Sequence, residues 1–139
     1  MSLKTMVSIL VVSHSHDLAK STVDLIKEMK NSDFILDYIG GDHDRRLGTN
    51  AIEIKNKIKE IDQGDGVIIV PDIGSSILNA RAAINLLSAE NGNDASEYIK
   101  VFNGPFLEGL LAMVVVNDEN ETVNSLMDVG LETVINWKK

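Results

Sequence analysis

Apolar residues recur along this chain in two rhythms: short unbroken runs, and longer stretches in which they stand three and four apart. The run Met6 to Val12 is apolar almost throughout and predicts a strand buried on both faces. A helix is expected from about Asp17 to Lys30. Asp17 would cap it, and Leu18, Thr22, Leu25, Ile26 and Met29 would form its inward stripe. Phe34 to Ile39 predicts a second strand, closed by Gly40-Gly41. Asn50 followed by Glu53 resembles a helix-start pair, and Ala51, Ile54, Ile58 and Ile61 continue at helical spacing. Gly66 to Val70 predicts a third buried strand, stopped by Pro71, which has no N–H for a ladder. A third helix, from about Ser75 to Leu87, would face Ile77, Ala80, Ile84 and Leu87 inward. Tyr98 to Phe102 predicts a fourth strand. Pro105 suits the first turn of a fourth helix bearing Phe106, Leu107, Leu110 and Val114. A last helical pattern runs through Val123, Leu126 and Met127 towards Trp137.

Strands and helices in alternation, with short connections, require parallel strands and right-handed crossovers. The expected class is α/β: an open, doubly wound, mainly parallel sheet of about four strands flanked by helices. Residues 1–139 are expected to form a single domain, since the chain is too short for an eight-unit barrel.

Composition narrows the function. A hydrophobic content of 44% fills one core. No apolar run is long enough to cross a bilayer, and no basic segment leads into a cleavable apolar one, so neither membrane insertion nor secretion is expected. The absence of Cys excludes disulfides, thiolate metal sites and cysteine nucleophiles, and fits a reducing cytoplasm. A net charge of −8 repels nucleic acid and anionic membranes but accommodates a partner with a basic contact face.

Ligands of such a sheet collect at the carboxyl ends of its strands. Three loops there carry unusual residues: Ser13 to His16, Gly40 to Thr49, and Asp72 to Ser76. With strands one and three as neighbours, His14 and Asp72 face each other. A carboxylate accepting the Nδ1 proton of His14 would fix the tautomer and leave Nε2 as a nucleophile. Gly74, Ser75 and Ser76 start a helix, whose N–H groups and hydroxyls would hold phosphoryl oxygens, with Ser13 and Ser15 as further donors. Plainer readings stand beside these. An Asp after a strand also forms turns, Gly-Ser-Ser also merely starts helices, and loop histidines are often only solvated. His14, His16, Asp42, His43 and Asp44 raise a Zn or Mn site, but turn spacing does not enforce convergence, and no metal is expected. His16 is read as a helix-start or docking residue and His43 as a solvated loop residue. Arg45 and Arg46 are either phosphate or partner contacts or a solvated pair.

Five segments then occur in the order of one family. They are Val11-Val12-Ser13-His14-Ser15, Gly40-Gly41, Gly48-Thr49, Asp72-Ile73-Gly74-Ser75 and Pro105-Phe106-Leu107-Glu108-Gly109. Over nearly its whole length the chain resembles the phosphotransfer subunits, DhaM, of phosphoenolpyruvate-dependent dihydroxyacetone kinases. That family is itself similar to mannose-type EIIA domains of the sugar phosphotransferase system. The resemblance implies a phosphotransferase in which His14 accepts a phosphoryl group from the phosphocarrier HPr and passes it to ADP held in the DhaL subunit. The regenerated ATP phosphorylates dihydroxyacetone in a third subunit, DhaK. Nucleotide and sugar then belong to partners, and no cofactor is expected on this chain. The resemblance further implies Asp72 as the orienting partner, Gly74 and Ser75 as the phosphate-side loop, Gly48 and Thr49 beside the cleft, and a homodimer. Ser76 stands where the family often has Ala, and the loop Asp42 to Arg46 is more charged than expected. The alternative is a mannose-type EIIA domain that hands phosphate to an EIIB component.

Overall fold

The unbroken apolar runs become the strands β1 (Ser8–Ser13), β2 (Leu36–Gly40), β3 (Val67–Pro71) and β4 (Ile99–Val101). They form one parallel sheet in the order β2-β1-β3-β4. The computed structural model describes residues 4–41 and 49–136. Five helices join and flank the strands: α1 (His16–Ile26), α2 (Ala51–Ile61), α3 (Gly74–Asn91), α4 (Phe106–Val116) and α5 (Val123–Asn136). This is the open, doubly wound α/β architecture expected from the alternating pattern.

All six residues of β1 are buried because helices cover both faces of the sheet. Ile9 and Val11 point to one core, shared with Ala19, Val23, Phe34, Phe102, Leu110 and Met113. Leu10 and Val12 point to the other, shared with Ile54, Ile58, Ala80, Ala83 and Leu87. Thus α1, α4 and α5 form one layer, and α2 and α3 the opposite one. The chain leaves β1 towards β2 on one side and reaches β3 on the other, so a crevice opens between the ends of β1 and β3.

Several local expectations are corrected. The N-cap of α1 is Ser15, whose Oγ accepts the Leu18 N–H at 3.2 Å, and Asp17 lies in the first turn, where its charge suits the helix dipole. The buried stripe of α1 is Ala19, Thr22, Val23 and Ile26, while Leu18, Leu25 and Met29 are 46%, 58% and 47% exposed. Small Ala19 and Thr22 let the helix approach the sheet closely, which turns the larger residues out. Leu107 is likewise exposed. Phe34 precedes β2 and is buried in the core. Pro105 is the N-cap of α4 and lies outside its first turn.

Pro71 is the last residue of β3, so the strand ends on it and not just before it. The Asp72 N–H bonds Val12 on the β1 side at 3.0 Å, so by alternation the nitrogen of Pro71 faces the β4 side. There β4 has already ended at Val101, and no donor is missed. Helix α3 runs beyond Leu87 to Asn91 and ends on Gly92, which takes the left-handed conformation at φ +70°.

Candidate functional site

One carboxylate closes the crevice between β1 and β3. Asp72 follows β3 directly, and its Oδ1 accepts the Ser76 hydroxyl and the Ile73 N–H, each at 2.7 Å. Its Oδ2 accepts the Ser13 hydroxyl at 2.7 Å, and the backbone N–H of His14 donates to both oxygens at 3.2 and 3.1 Å. Burial pushes the carboxyl upward. The bonds from Ser13, Ser76 and the His14 and Ile73 N–H groups outweigh it and hold the group below the ordinary carboxylate range. Asp72 is therefore an ion at neutral pH.

The same bonds shape the His14 loop. Ser13 Oγ donates to Asp72 and accepts the Ser15 N–H at 3.0 Å, and Ser15 Oγ caps α1. His14 is left at the tip. Beneath the loop lies Gly40, the last residue of β2. A Cβ there would stand 2.6 Å from the Ser15 carbonyl oxygen and 3.0 Å from that of Ser13, so only glycine fits. Gly40 was read as a strand end; its second role, under the Ser13 and Ser15 carbonyls, shows only in the fold.

The expected contact between the His14 ring and Asp72 is not made. Nδ1 is buried without a hydrogen-bond partner, and Asp72 binds the backbone of His14, not its imidazole. The residue is half-buried, and with Nδ1 enclosed, Nε2 is the ring nitrogen left for an incoming group.

Two other expectations shift. Ser13 and Ser76 are fully buried, and both hydroxyls are committed to Asp72, so they build the loop in place of holding a phosphate. Ser15 is half-buried and spends its oxygen on the helix cap. Gly74 and Ser75 are exposed at the start of α3, where the first N–H groups have no intrahelical acceptor and no side chain caps them. A Cβ at Gly74 would meet nothing within 4 Å, so an anion has room to approach. Thr49 Oγ1 accepts the amide of Asn79, which also donates to the Ser75 carbonyl at 3.1 Å. Asn79, not anticipated from sequence, thereby fastens the end of the β2–α2 connection to the start of α3. His16 packs edge-on against Tyr38, with ring centroids 5.7 Å apart and planes at 71°. Gly48, Asp42, His43, Asp44, Arg45, Arg46 and Trp137 lie outside the described residues.

The helix starts around this end of the sheet each expose an apolar side chain, Leu18 of α1, Ile52 of α2, Ile73 beside α3 and Leu107 of α4, with Asp17, Glu53 and Glu108 among them. Clefts of about 410 and 250 Å³ lie elsewhere, along α3 and β4, and neither is lined by His14 or Asp72.

A histidine beside an open helix start, at the switch point of a parallel sheet, is an arrangement that can serve phosphoryl transfer. The family described as PTS system fructose IIA component, EIIA-man, matches residues 8–127. This chain belongs to the EIIA-man family. Among curated proteins it is similar to the phosphoryl donor subunit DhaM of PEP-dependent dihydroxyacetone kinase 2 from Listeria innocua. The identity is 34% over 121 residues, covering 85% of this chain and 94% of the relative. It is also 30% identical to DhaM of Escherichia coli, over 79% of this chain but only 23% of that much longer protein. In fold, this EIIA-man chain superposes on the phosphotransferase system component EIIA of Streptococcus agalactiae with a TM-score of 0.67 at 17% identity, covering 94% of each chain. A crystal structure of a protein of unknown function gives a TM-score of 0.77 at 24% identity, covering 91% of this chain and 93% of that one.

Proposed function

We propose that this EIIA-man chain is a phosphohistidine relay of the DhaM kind, taking a phosphoryl group from HPr and passing it to ADP bound in DhaL. The observation that carries the reading is the half-buried His14, with its Nδ1 enclosed, at a strand end beside the uncapped start of α3. The Nε2 lone pair attacks the phosphorus of phospho-HPr, the P–N bond of the donor breaks, and the donor imidazole leaves with that electron pair. The proton of the His14 ring then resides on Nδ1, away from the reacting face. The N–H groups at Gly74 and Ser75 receive the phosphoryl oxygens. Asp72 is a positioning residue: it grips the His14 backbone and keeps a negative charge behind the ring. Thr49 and Ser15 complete the rim, with Gly48 on the connection that Thr49 ends.

The apolar first turns around His14 support protein partners in preference to a small substrate, because they offer contact area without a deep pocket. The Listeria relative, matched over 94% of its length, supports DhaL-ADP as the acceptor. Among the described residues no helix is long and apolar enough to cross a membrane, and we place the relay in the cytoplasm with its partners. We also assign a homodimer. Helix α4 lies between α1 and α5 yet turns Leu107, Leu111, Val115 and Val116 outward. Two chains of charge −8 repel each other over most of their surfaces, and this nearly uncharged face is where they can meet.

The family match supports a second reading, a mannose-type EIIA that delivers phosphate to EIIB. Incubation with phosphoenolpyruvate, enzyme I and HPr should add one phosphoryl mass, lost in His14→Ala. ADP-loaded DhaL should then discharge the protein while EIIB does not. A His14→Ala protein that still gains phosphate overturns the assignment, and discharge by EIIB alone selects the second reading.

A further inference from the structure

The described cations are almost all committed. Lys4 pairs with Glu119, Lys20 and Lys27 with Asp24, Lys55 and Lys59 with Glu90, and Lys57 with Asp37 and Glu60. Lys30 donates to the Phe34 carbonyl and lies over the Phe34 ring. Arg81 and Lys100 are the two described cations with neither a hydrogen bond nor an ion pair, and both line the same cleft of about 410 Å³. Helix α3 contributes Arg81 and the amide of Asn85, β4 contributes Lys100, and Ile84, Ile99 and Val101 supply apolar lining. Asp94, the acid whose charge Lys100 feels, is already occupied by the hydroxyl and N–H of Ser96. A lysine on a short edge strand serves as a guard against strand pairing. That role explains Lys100 but leaves Arg81, on the adjoining helix, and the apolar-lined space between them unexplained.

We propose that this cleft binds a small organic anion, a phosphate monoester or carboxylate carrying a compact apolar group. Its size falls in the range of small-molecule sites. On a chain of charge −8, two cations without an ion pair at one spot favour an anion there, with Asp94 offsetting part of the Lys100 charge. The apolar lining takes the body of the ligand, and the guanidinium and ammonium take its charge. The cleft shares no lining residue with the His14 site, so it is a separate function of the same molecule.

The test is a titration of the ¹⁵N-labelled full chain with phenyl phosphate, benzoate and neutral benzyl alcohol. Saturable amide shifts at residues 81–85 and 96–101 are expected with one or both anions and not with the alcohol; the tighter anion distinguishes phosphate from carboxylate. Arg81→Gln and Lys100→Gln should each weaken binding about tenfold, as expected for a lost charge-assisted bond. Both side chains are free of structural bonds, so the variants should fold, and His14 should charge from HPr at the wild-type rate in the double variant. No saturable shift with either anion, undiminished binding in the double variant, or shifts confined to His14, Gly74 and Ser75 would overturn the proposal.

Discussion

On one side of the sheet, Lys55 and Lys59 of α2 both reach Glu90 of α3, and Lys57 reaches Asp37 of β2. On the other side, the middle helix α4 turns Leu107, Leu111, Val115 and Val116 to the surface. The interiors differ as well. The α2/α3 core is built mainly from aliphatic side chains, whereas the α1/α4/α5 core holds Phe34, Phe102 and Met113. The Phe102 ring fills the space that side chains at Gly104, Gly109 and Gly130 would need. One layer thus fastens its two helices to each other and to the sheet through ion pairs. The other is packed around aromatic rings, Phe102 foremost, and leaves an apolar exterior on α4.

The largest expected effect tests that ring. Phe102→Ala should cost about 3–5 kcal/mol, because three glycines cannot fill the void, while Ile58→Val in the opposite core should cost about 1 kcal/mol. Urea unfolding of both variants measures the contrast, and equal costs would remove it. Next comes the seam between the layers. Asp72→Ala should cost about 3 kcal/mol, since it strands the buried hydroxyls of Ser13 and Ser76. It should also slow the charging of His14 without abolishing it. Because the folded-state pKa of Asp72 is depressed, its ionic contribution is fully present above the ordinary carboxylate range and is lost as pH falls through the depressed value. The stability gap between wild type and Asp72→Asn should therefore narrow on acidification; a gap that widens contradicts the network.

Smaller in stability, but decisive for the outer surface, is Leu111→Glu. If the proposed homodimer forms through α4, the substitution should convert that dimer to a monomer in sedimentation equilibrium while changing monomer stability by no more than about 0.5 kcal/mol. An unaltered dimer would move the interface elsewhere. Smallest is Lys57→Met on the ion-paired side, expected to cost under about 1 kcal/mol in the same urea assay.

The strands were legible because a parallel strand covered on both faces must be almost continuously apolar, as Ile9 to Val12 is. The inward stripe of α2 was legible for the converse reason: apart from Ile52 its other positions are polar, whereas α3 also turns Leu78 and Leu86 outward. Helix α1 offered two overlapping stripes, one through Leu18, Leu25 and Met29 and one through Ala19, Val23 and Ile26, and only contact with the sheet chooses between them. At the site, spacing brought His14 and Asp72 to neighbouring strand ends. It carried no information on which atoms would meet across 58 residues, and the carboxylate found the backbone and two serines before the ring. Gly40 and Asn79 were silent in the sequence because their roles arise only when separate connections converge.

The clasp that Asp72 makes on the neighbouring strand end has a mechanical meaning. Its anchors are main-chain N–H groups and two sealed hydroxyls, so the pose of the reactive tip is inherited from the scaffold itself. Successive visitors find the same nitrogen at the same height, and neither has to reshape it before the exchange.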